Sequence, residues 1–210
     1  MSSIVIEPGL NSEIALTQAH AEAALTIATD QEFPQQLAQA TPLQGWALAE
    51  SGQWEEGITQ IHQGLAAYRA TGATRDRPYH LALLAEASAQ GGQVAEGLEV
   101  LAEALATLAK SGVRWWEAEL YRLRGALLLQ RSAPQPEEAE ACFQQALTIA
   151  RRQQAKSLEL RAAMSLSQLW QQQSKRAEAY ALLAPIYGWF TEGFDTADLQ
   201  EAKVLLDALA

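Results

Sequence analysis

The sequence predicts an all-α solenoid of antiparallel helix pairs, and three observations lead to this fold class. A segment that begins at Gly52, Gly-Gln-Trp-Glu-Glu-Gly-Ile, returns forty residues later at Gly92 as Gly-Gln-Val-Ala-Glu-Gly-Leu. Small and large apolar residues recur in one register along most of the chain. Alanine makes up about a fifth of the 210 residues and β-branched residues are sparse, which favours helix in nearly every window. About ten helices are therefore expected.

The register of small residues marks four copies of one helical hairpin. The small residues are spaced 40, 42 and 40 positions apart: Gly57, Gly97, Ala139 and Ala179. A large apolar residue follows each by four positions: Ile61, Leu101, Phe143 and Leu183. Twelve positions before each stand Gly45, Ala85, Leu127 and Ser167, although Gly125 fits the third copy better because its turn is about two residues longer. Residues at i and i+4 share a helix face, so the small ones allow a neighbouring helix to approach and the large ones fill the adjacent space.

The helix boundaries follow from glycine, proline and capping residues. An opening helix over 12–30 is predicted to begin at Asn11-Ser12, and it has no partner before it, which makes it an N-terminal cap or the sign of a truncated chain. Hairpins over 34–72, 76–111, 114–155 and 157–190 follow, and a capping helix over 196–209 completes a single domain over 1–210.

Two prolines fall inside predicted helices. Pro42 and Pro185 each remove a backbone hydrogen bond and favour a kink. Alternatively, either proline marks a helix start that the pattern misplaces by one turn.

The hairpin unit resembles the tetratricopeptide repeat, in a variety with longer helices, because its period is near 40 instead of 34. This resemblance implies a right-handed superhelix in which the first helix of each pair lines a concave face. Transferring that register to this sequence identifies a candidate ligand- or partner-binding surface: Trp46, Glu50, Tyr79, Glu86, Gln90, Glu119, Arg122, Gln130, Arg161 and Gln168. Trp116 is assigned to the same surface. The same register includes Gln39, Leu129 and Gln172.

Aromatic, amide and charged groups of this kind anchor protein and peptide ligands. Two milder interpretations stay open. Trp46, Tyr79 and Trp116 can instead pack between adjacent hairpins, and Glu119 with Arg122 can form an i, i+3 ion pair within one helix. A carboxylate clamp of the tetratricopeptide type is not expected, because its positions here offer two arginines, no lysine and no asparagine.

Four stretches of the sequence indicate a resemblance to a more specific group of repeat proteins. They cover residues 45–49, 77–79, 115–125 and 187–199, and the last two are the most specific: Trp-Trp-Glu-Ala-Glu-Leu-Tyr-Arg-Leu-Arg-Gly and Tyr-Gly-Trp-Phe-Thr-Glu-Gly-Phe-Asp-Thr-Ala-Asp-Leu. From about residue 14 to the end, the chain resembles the carboxy-terminal repeat region of bacterial predicted ATPases, which commonly carry a nucleotide cyclase or DNA-binding domain. The sequence contains no Gly-x-x-x-x-Gly-Lys-Ser/Thr motif, so the resemblance implies the regulatory arm of such a protein without its nucleotide chemistry.

Composition limits the partners and the compartment. The net charge of −10 argues against nucleic acid and against an anionic membrane surface. No apolar run approaches 18 residues, and the first ten residues lack a secretory signal. The single cysteine, Cys142, cannot form an internal disulfide, and a cytoplasmic location is expected.

No catalytic, metal or cofactor site is expected. His20, His62 and His80 lie in different helical units without metal-ligand spacing, and Cys142 is interpreted as a buried core thiol. The acid pairs Glu55-Glu56 and Glu137-Glu138 fall in first turns of helices, where carboxylates offset the helix dipole.

The sequence therefore predicts a non-enzymatic protein-interaction scaffold of a bacterial signalling protein. The alternative is a sensor that binds a small inducer or peptide in the superhelical groove, with an enclosed pocket around Tyr79, Glu86, Trp116 and Arg122. Homo-oligomerisation through the opening helix and the apolar stretch at 187–190 is also predicted.

Overall fold

The computed structural model describes residues 8–112 and 114–210, and this part of the chain contains ten α-helices and no strand. The helices are α1 (Pro8–Asp30), α2 (Pro34–Glu50), α3 (Trp54–Ala70), α4 (Arg77–Gln90), α5 (Val94–Ser111), α6 (Glu117–Gln130), α7 (Pro136–Gln153), α8 (Lys156–Gln172), α9 (Arg176–Tyr187) and α10 (Ala197–Leu209). The predicted all-α class and helix number are confirmed.

Most helix boundaries lie within three residues of the predicted positions. The start of α1 is the exception, because the helix already includes Pro8 and does not begin at Asn11-Ser12. Residues 8–11 therefore extend a helix whose start the capping pattern places too late.

The helices form two compact units, Met1–Val113 with α1 to α5 and Arg114–Ala210 with α6 to α10. In the first unit, α2 packs against α1, α3 and α4, and α4 also packs against α3 and α5. In the second unit, α8 packs against all four of the other helices. In each unit the first helices of neighbouring hairpins therefore lie side by side. That one domain covers 1–210 stays a prediction.

Glycines with left-handed backbone end the helices where the repeated segment predicts breaks. Gly52 follows α2 with φ +90° and Gly92 follows α4 with φ +75°, at equivalent positions forty residues apart. A residue with a Cβ is strained in this region, whereas glycine is not. The chain can therefore reverse direction within three residues and start the second helix of the pair.

Small residues bring paired helices into close contact, as predicted. A Cβ on Gly45 of α2 would stand 2.6 Å from the carbonyl oxygen of Gly57 on α3. At the equivalent positions of the last hairpin, the Ser167 hydroxyl of α8 donates a hydrogen bond to the carbonyl of Ala179 on α9 (3.1 Å). Small residues at these positions therefore let the two helix backbones approach.

The large apolar residues of the register form the core. Ile61, Leu101, Phe143 and Leu183 are all fully buried, which confirms their predicted place. Cys142 is also buried, and burial raises the pKa of its thiol, as expected for a core cysteine.

The two prolines do lie inside helices, Pro42 within α2 and Pro185 within α9. The alternative that Pro42 marks a misplaced helix start is wrong, because α2 begins at Pro34. Pro42 is buried against Gly64 of α3, where a Cβ would stand 2.5 Å from the proline Cδ. The ring therefore occupies space that glycine leaves open.

None of the described helices combines the length and apolar character needed to cross a lipid bilayer.

Candidate binding surface

Three hydrogen bonds between side chains join the first helices of the first unit, and we call this set the α2–α4 ladder. Its bonds are Gln39 Nε2 to Asp76 Oδ2 (3.1 Å), Trp46 Nε1 to Glu86 Oε2 (3.1 Å) and Gln90 Nε2 to Glu50 Oε1 (3.3 Å). The partners are 37, 40 and 40 residues apart, so they connect neighbouring repeats near one period. The structure therefore brings together Trp46 with Glu86 and Glu50 with Gln90, four of the predicted surface residues.

The ladder lies at the boundary between core and solvent. Trp46, Glu50 and Glu86 are half-buried, whereas Gln90 is exposed at one end. Burial raises the pKa of the Glu50 carboxyl, and the hydrogen bond from Gln90 partly offsets this rise. The partial burial leaves polar and aromatic groups accessible but fixed in position, as a preformed contact surface requires.

The other end of the ladder is tied to the core through Asp76, the residue that precedes α4. The Tyr68 hydroxyl of α3 lies 3.2 Å from Asp76 Oδ2, and the Asp76 amide donates a hydrogen bond to the same hydroxyl at 3.2 Å. Tyr68 also packs edge-to-face against the buried His80 ring at 4.9 Å. Tyr79, the remaining predicted residue in this unit, is half-buried with its ring 5.8 Å from that of His80.

In the second unit two arginines contact one buried carboxylate. We call Glu119, Arg122 and Arg161 the Glu119 cluster. Glu119 of α6 is 2% exposed. It accepts hydrogen bonds from Arg122 Nε (3.0 Å) and Nη2 (2.7 Å), and Arg161 Nη2 of α8 lies 3.0 Å from its Oε1. Arg161 Nε also lies 3.9 Å from Asp198 Oδ1 on α10. The cluster therefore joins α6 to α8, and the contact with Asp198 extends from it to α10.

The positive charges of the two arginines affect the pKa of Glu119 more than its burial does. Burial alone raises the pKa of the Glu119 carboxyl, but the guanidinium groups of Arg122 and Arg161 together lower it below its usual value. The carboxylate is therefore ionised at neutral pH. The predicted i, i+3 pair between Glu119 and Arg122 is confirmed, whereas the local sequence pattern did not indicate the contacts with Arg161 and Asp198.

The remaining predicted surface residues separate into two kinds. Trp116 precedes α6, is half-buried and packs against a core cluster that includes Ala118, Ile149 and Leu158. This placement fits the packing interpretation of Trp116. Gln130 at the end of α6 and Gln168 on α8 are exposed.

The second unit contains at least two clefts. The larger, which we call the α6–α8 cleft, has a volume of about 640 Å³ and is lined by Leu129, Pro134, Pro136, Glu137, Glu140, Leu169, Gln172, Gln173 and Lys175. A smaller one of about 250 Å³ includes Tyr121, Arg124 and Cys142. Neither is lined by the residues around which the sensor hypothesis predicts a pocket. In the part of the chain that the structure describes, no three His, Cys, Asp or Glu side chains could together hold a metal ion.

The sequence pattern identified part of the α6–α8 cleft and missed the rest. Leu129 and Gln172 occupy predicted inner positions of the first helices. Pro134 and Pro136 belong to the turn that the sequence predicts to be about two residues longer, but the repeat register does not indicate that this turn lines a cleft. The hydrogen bond from Trp170 Nε1 to Glu140 (3.0 Å), across 30 residues, also has no signal in the local sequence.

The architecture matches solved structures of one class, the tetratricopeptide-like helical repeat proteins. BtubC (BKLC) from P. vanneervenii aligns with a TM-score of 0.68 and 18% identity, over 97% of this chain and 84% of that one. Nearly identical TPR-like repeats attributed to a kinesin light chain of Podosopora anserina align with a TM-score of 0.56 and 20% identity, over 85% and 87% of the two chains. The chain therefore has the tetratricopeptide-like fold that its sequence predicts.

Sequence comparison adds one relative of unassigned function. A protein of Rhizobium meliloti (strain 1021), described there as uncharacterized, is 32% identical over 125 residues. These residues are 60% of this chain but 12% of that protein, so the chain spans a small part of its relative's length. No protein-family model matches the chain.

Proposed function

We propose that this chain is a non-enzymatic protein-interaction scaffold that holds a partner protein or peptide on the first helices of its hairpins. The α2–α4 ladder is the observation that carries the proposal. It fixes Trp46 and two carboxylates in one register at the solvent boundary, and such preordering lowers the entropic cost of binding. Aromatic side chains of this kind supply large contact area with few rotatable bonds.

The Glu119 cluster supports the same proposal in the second unit. Glu119 is buried beneath Arg122 and Arg161, whose side chains are 15% and 31% exposed. The carboxylate therefore acts as a positioning group, and the two guanidinium groups are the surface that a partner would contact. Arginine held in a fixed orientation loses little side-chain entropy on binding.

We further propose that the chain serves as the regulatory arm of a longer signalling protein of the ATPase or cyclase type. Two observations support this context. The stretches at 115–125 and 187–199 resemble the repeat region of such proteins, and the Rhizobium meliloti relative is about eight times as long as the segment it shares with this chain. A location in the cytoplasm belongs to the same proposal.

Site-specific photocrosslinking in the cells that produce the protein tests the scaffold proposal. A photoreactive amino acid replaces Gln90 or Gln168, which are exposed on first helices, and in matched controls it replaces Thr59 or Gln144, which are exposed on second helices. We expect crosslinks to one reproducible protein from the first pair and not from the second. Crosslinks from the control positions alone would move the interface to the opposite face, and crosslinks from none would reject the proposal.

A small-molecule sensor is the second candidate, and the α6–α8 cleft is the observation in its favour, because about 640 Å³ lies within the usual range of ligand sites. The cleft is partly open to solvent, which fits a protein segment better than an enclosed inducer. Thermal unfolding with a metabolite library separates the two candidates. The melting temperature of a sensor should rise with one compound, whereas that of a scaffold should rise with none.

Self-association through the end helices is a further part of the proposal. Leu16 and Ile27 on α1 are more than half exposed, as are Trp189 after α9 and Val204 on α10. Contact between such apolar side chains would bury them. Sedimentation equilibrium should detect a concentration-dependent dimer that Ile27→Glu weakens, and a monomer at all concentrations would remove this part.

A further inference from the structure

The α6–α8 cleft is built where the third hairpin departs from the repeat. The turn between α6 and α7 has five residues, 131–135, whereas the turns after α2, α4 and α8 have three. Pro134 within this turn and Pro136 at the start of α7 form one apolar side of the cleft, and Leu129 and Leu169 contribute apolar side chains from α6 and α8. The additional residues of the turn thus supply part of the cleft.

Hydrogen bonds hold this longer turn in place. The Gln135 amide donates to the carbonyl of Leu128 (3.2 Å), which ties the turn back to α6. The Gln135 side chain accepts a hydrogen bond from Arg131 and donates one to Glu138 (2.9 Å). The prolines also restrict the backbone, so this side of the cleft is preformed.

The polar groups of the cleft leave one uncompensated negative charge. Glu140 accepts a hydrogen bond from the Trp170 indole (3.0 Å), and Lys175 Nζ lies 3.8 Å from its other oxygen. Glu137 is exposed in the first turn of α7 and takes part in no ion pair within the described residues. The paired Glu140 and Lys175 cancel in charge, so Glu137 gives the cleft a net charge of about −1, in a chain of net charge −10.

We propose that the α6–α8 cleft binds an extended segment of a partner protein in which an apolar side chain lies next to a Lys or Arg. The apolar side chain packs between the leucines and prolines, and the cation lies near Glu137. The amides of Gln172 and Gln173 each offer a donor and an acceptor to the backbone of the segment. This inference rests on the proposed scaffold function in its choice of a protein ligand, but it places the contact at a site separate from the α2–α4 ladder.

Fluorescence anisotropy with short labelled peptides tests the proposal on the full chain. The first peptide is Gly-Ser-Gly-Leu-Lys-Leu-Lys-Gly-Ser, the second has Glu in place of both Lys, and the third has Ser in place of both Leu. At about 150 mM salt, which screens non-specific attraction between exposed charges, we expect the first peptide to bind at least tenfold more tightly than either of the others.

Two charge-reversal variants locate the binding. Glu137→Lys should weaken the first peptide at least fivefold, whereas Glu178→Lys, the matched control, should change its affinity less than twofold. Glu178 is also exposed in the first turn of a second helix, α9, so both variants change the charge of the chain and the helix terminus equally. Circular dichroism establishes that both variants keep the helical fold.

The remaining outcomes overturn the inference. If both variants weaken binding of the first peptide equally, the binding depends only on the overall charge of the chain. Tight binding of the Glu-containing peptide would contradict the role of Glu137. If no peptide binds at about 1 mM, the cleft does not take such a segment. That failure leaves the scaffold proposal standing, because crosslinks from Gln90 test it at a different surface.

Discussion

His80 is a residue at which the fold controls a protonation state. The side chain is 2% exposed, packs edge-to-face against Tyr68, and its Nδ1 has no hydrogen-bond partner among the described residues. Burial lowers the pKa of the imidazole to about 4, although the carboxylate of nearby Asp76 acts in the opposite direction. His80 is therefore neutral at physiological pH and lies in the core of the first unit.

We predict that acidification destabilises the protein through His80 before most carboxylates titrate. An unfolded chain protonates histidine near pH 6.5, whereas folded His80 does so near pH 4, so the unfolded state binds more protons between these values. The free energy of unfolding should therefore fall by up to about 3 kcal/mol as the pH decreases from 6.5 to 4.

Urea denaturation at several pH values measures this dependence. In His80→Leu, the decrease between pH 6.5 and 4.5 should be smaller by more than half. His62→Leu, on an exposed position of α3, serves as the control and should keep the wild-type dependence. An unchanged slope in His80→Leu would contradict the prediction.

Glu119 is the second buried residue with a testable electrostatic role. Glu119→Gln keeps the size of the side chain but removes the charge that Arg122 and Arg161 share. Because breaking a buried ion pair leaves charges without compensation, we expect a loss of about 3 kcal/mol in the free energy of unfolding. Glu192→Gln, at an exposed position, should change it by less than about 0.5 kcal/mol. A loss below about 1 kcal/mol at Glu119 would mean that solvent already satisfies both arginines.

At the scale of the helix pair, stability depends on the close approach of α2 and α3. Gly57→Ala would place a Cβ 2.8 Å from the backbone nitrogen of Ala49 on α2. The same Cβ would also be too close to the carbonyl oxygen of Gly45 on that helix. Alanine favours a helix over glycine by about 1 kcal/mol, but forcing two backbones apart costs about 1–3 kcal/mol. We therefore expect net destabilisation of about 1 kcal/mol.

Thermal and urea denaturation of Gly57→Ala measure this balance. Thr59→Ala is the matched control, because Thr59 is exposed on the same helix and its substitution improves helix propensity without a steric conflict. If Gly57→Ala were as stable as the control, the contact between α2 and α3 would be able to relax.

Helices could be predicted from the sequence because their determinants are local. The turns at Gly52 and Gly92, the small residues at Gly45 and Gly57, and the buried position of Ile61 all follow from short-range spacing. The contacts of the candidate surface are harder to predict from local spacing. Whether a residue such as Glu119 faces solvent or lies beneath an arginine from another hairpin depends on side-chain rotamers, which the register does not specify.

The same limit applies to the aromatic residues of the candidate surface. Trp116 precedes α6, and it packs against a core cluster that includes Ile149 on α7 and Leu158 on α8. By contrast, Trp46 lies in the middle of α2, where helical geometry holds, and it does lie at the predicted boundary with solvent. Register therefore predicts side-chain direction within helices better than at their ends.

At the scale of the whole molecule, each of the two compact units buries large apolar side chains of its own. The second unit, Arg114–Ala210, buries large side chains from each of its five helices, including Leu120, Phe143, Leu160, Leu183 and Leu205. In repeat proteins stability is approximately the sum of terms within units and between neighbours, so a group of hairpins with its own core can fold alone.

We predict that the fragment 114–210, expressed by itself, folds into a stable helical unit. Its far-ultraviolet circular dichroism should show helical content equal to that of the same residues in the full chain, lost in one cooperative thermal transition. The fragment 136–210 provides the control, because it lacks α6 and with it the buried leucines Leu120, Leu123 and Leu127. Burying a leucine contributes about 2 kcal/mol, so the shorter fragment should be largely unfolded. If 114–210 were as disordered as 136–210, the second unit would depend on the first, and the single domain over 1–210 that the repeat pattern predicts would be the better description.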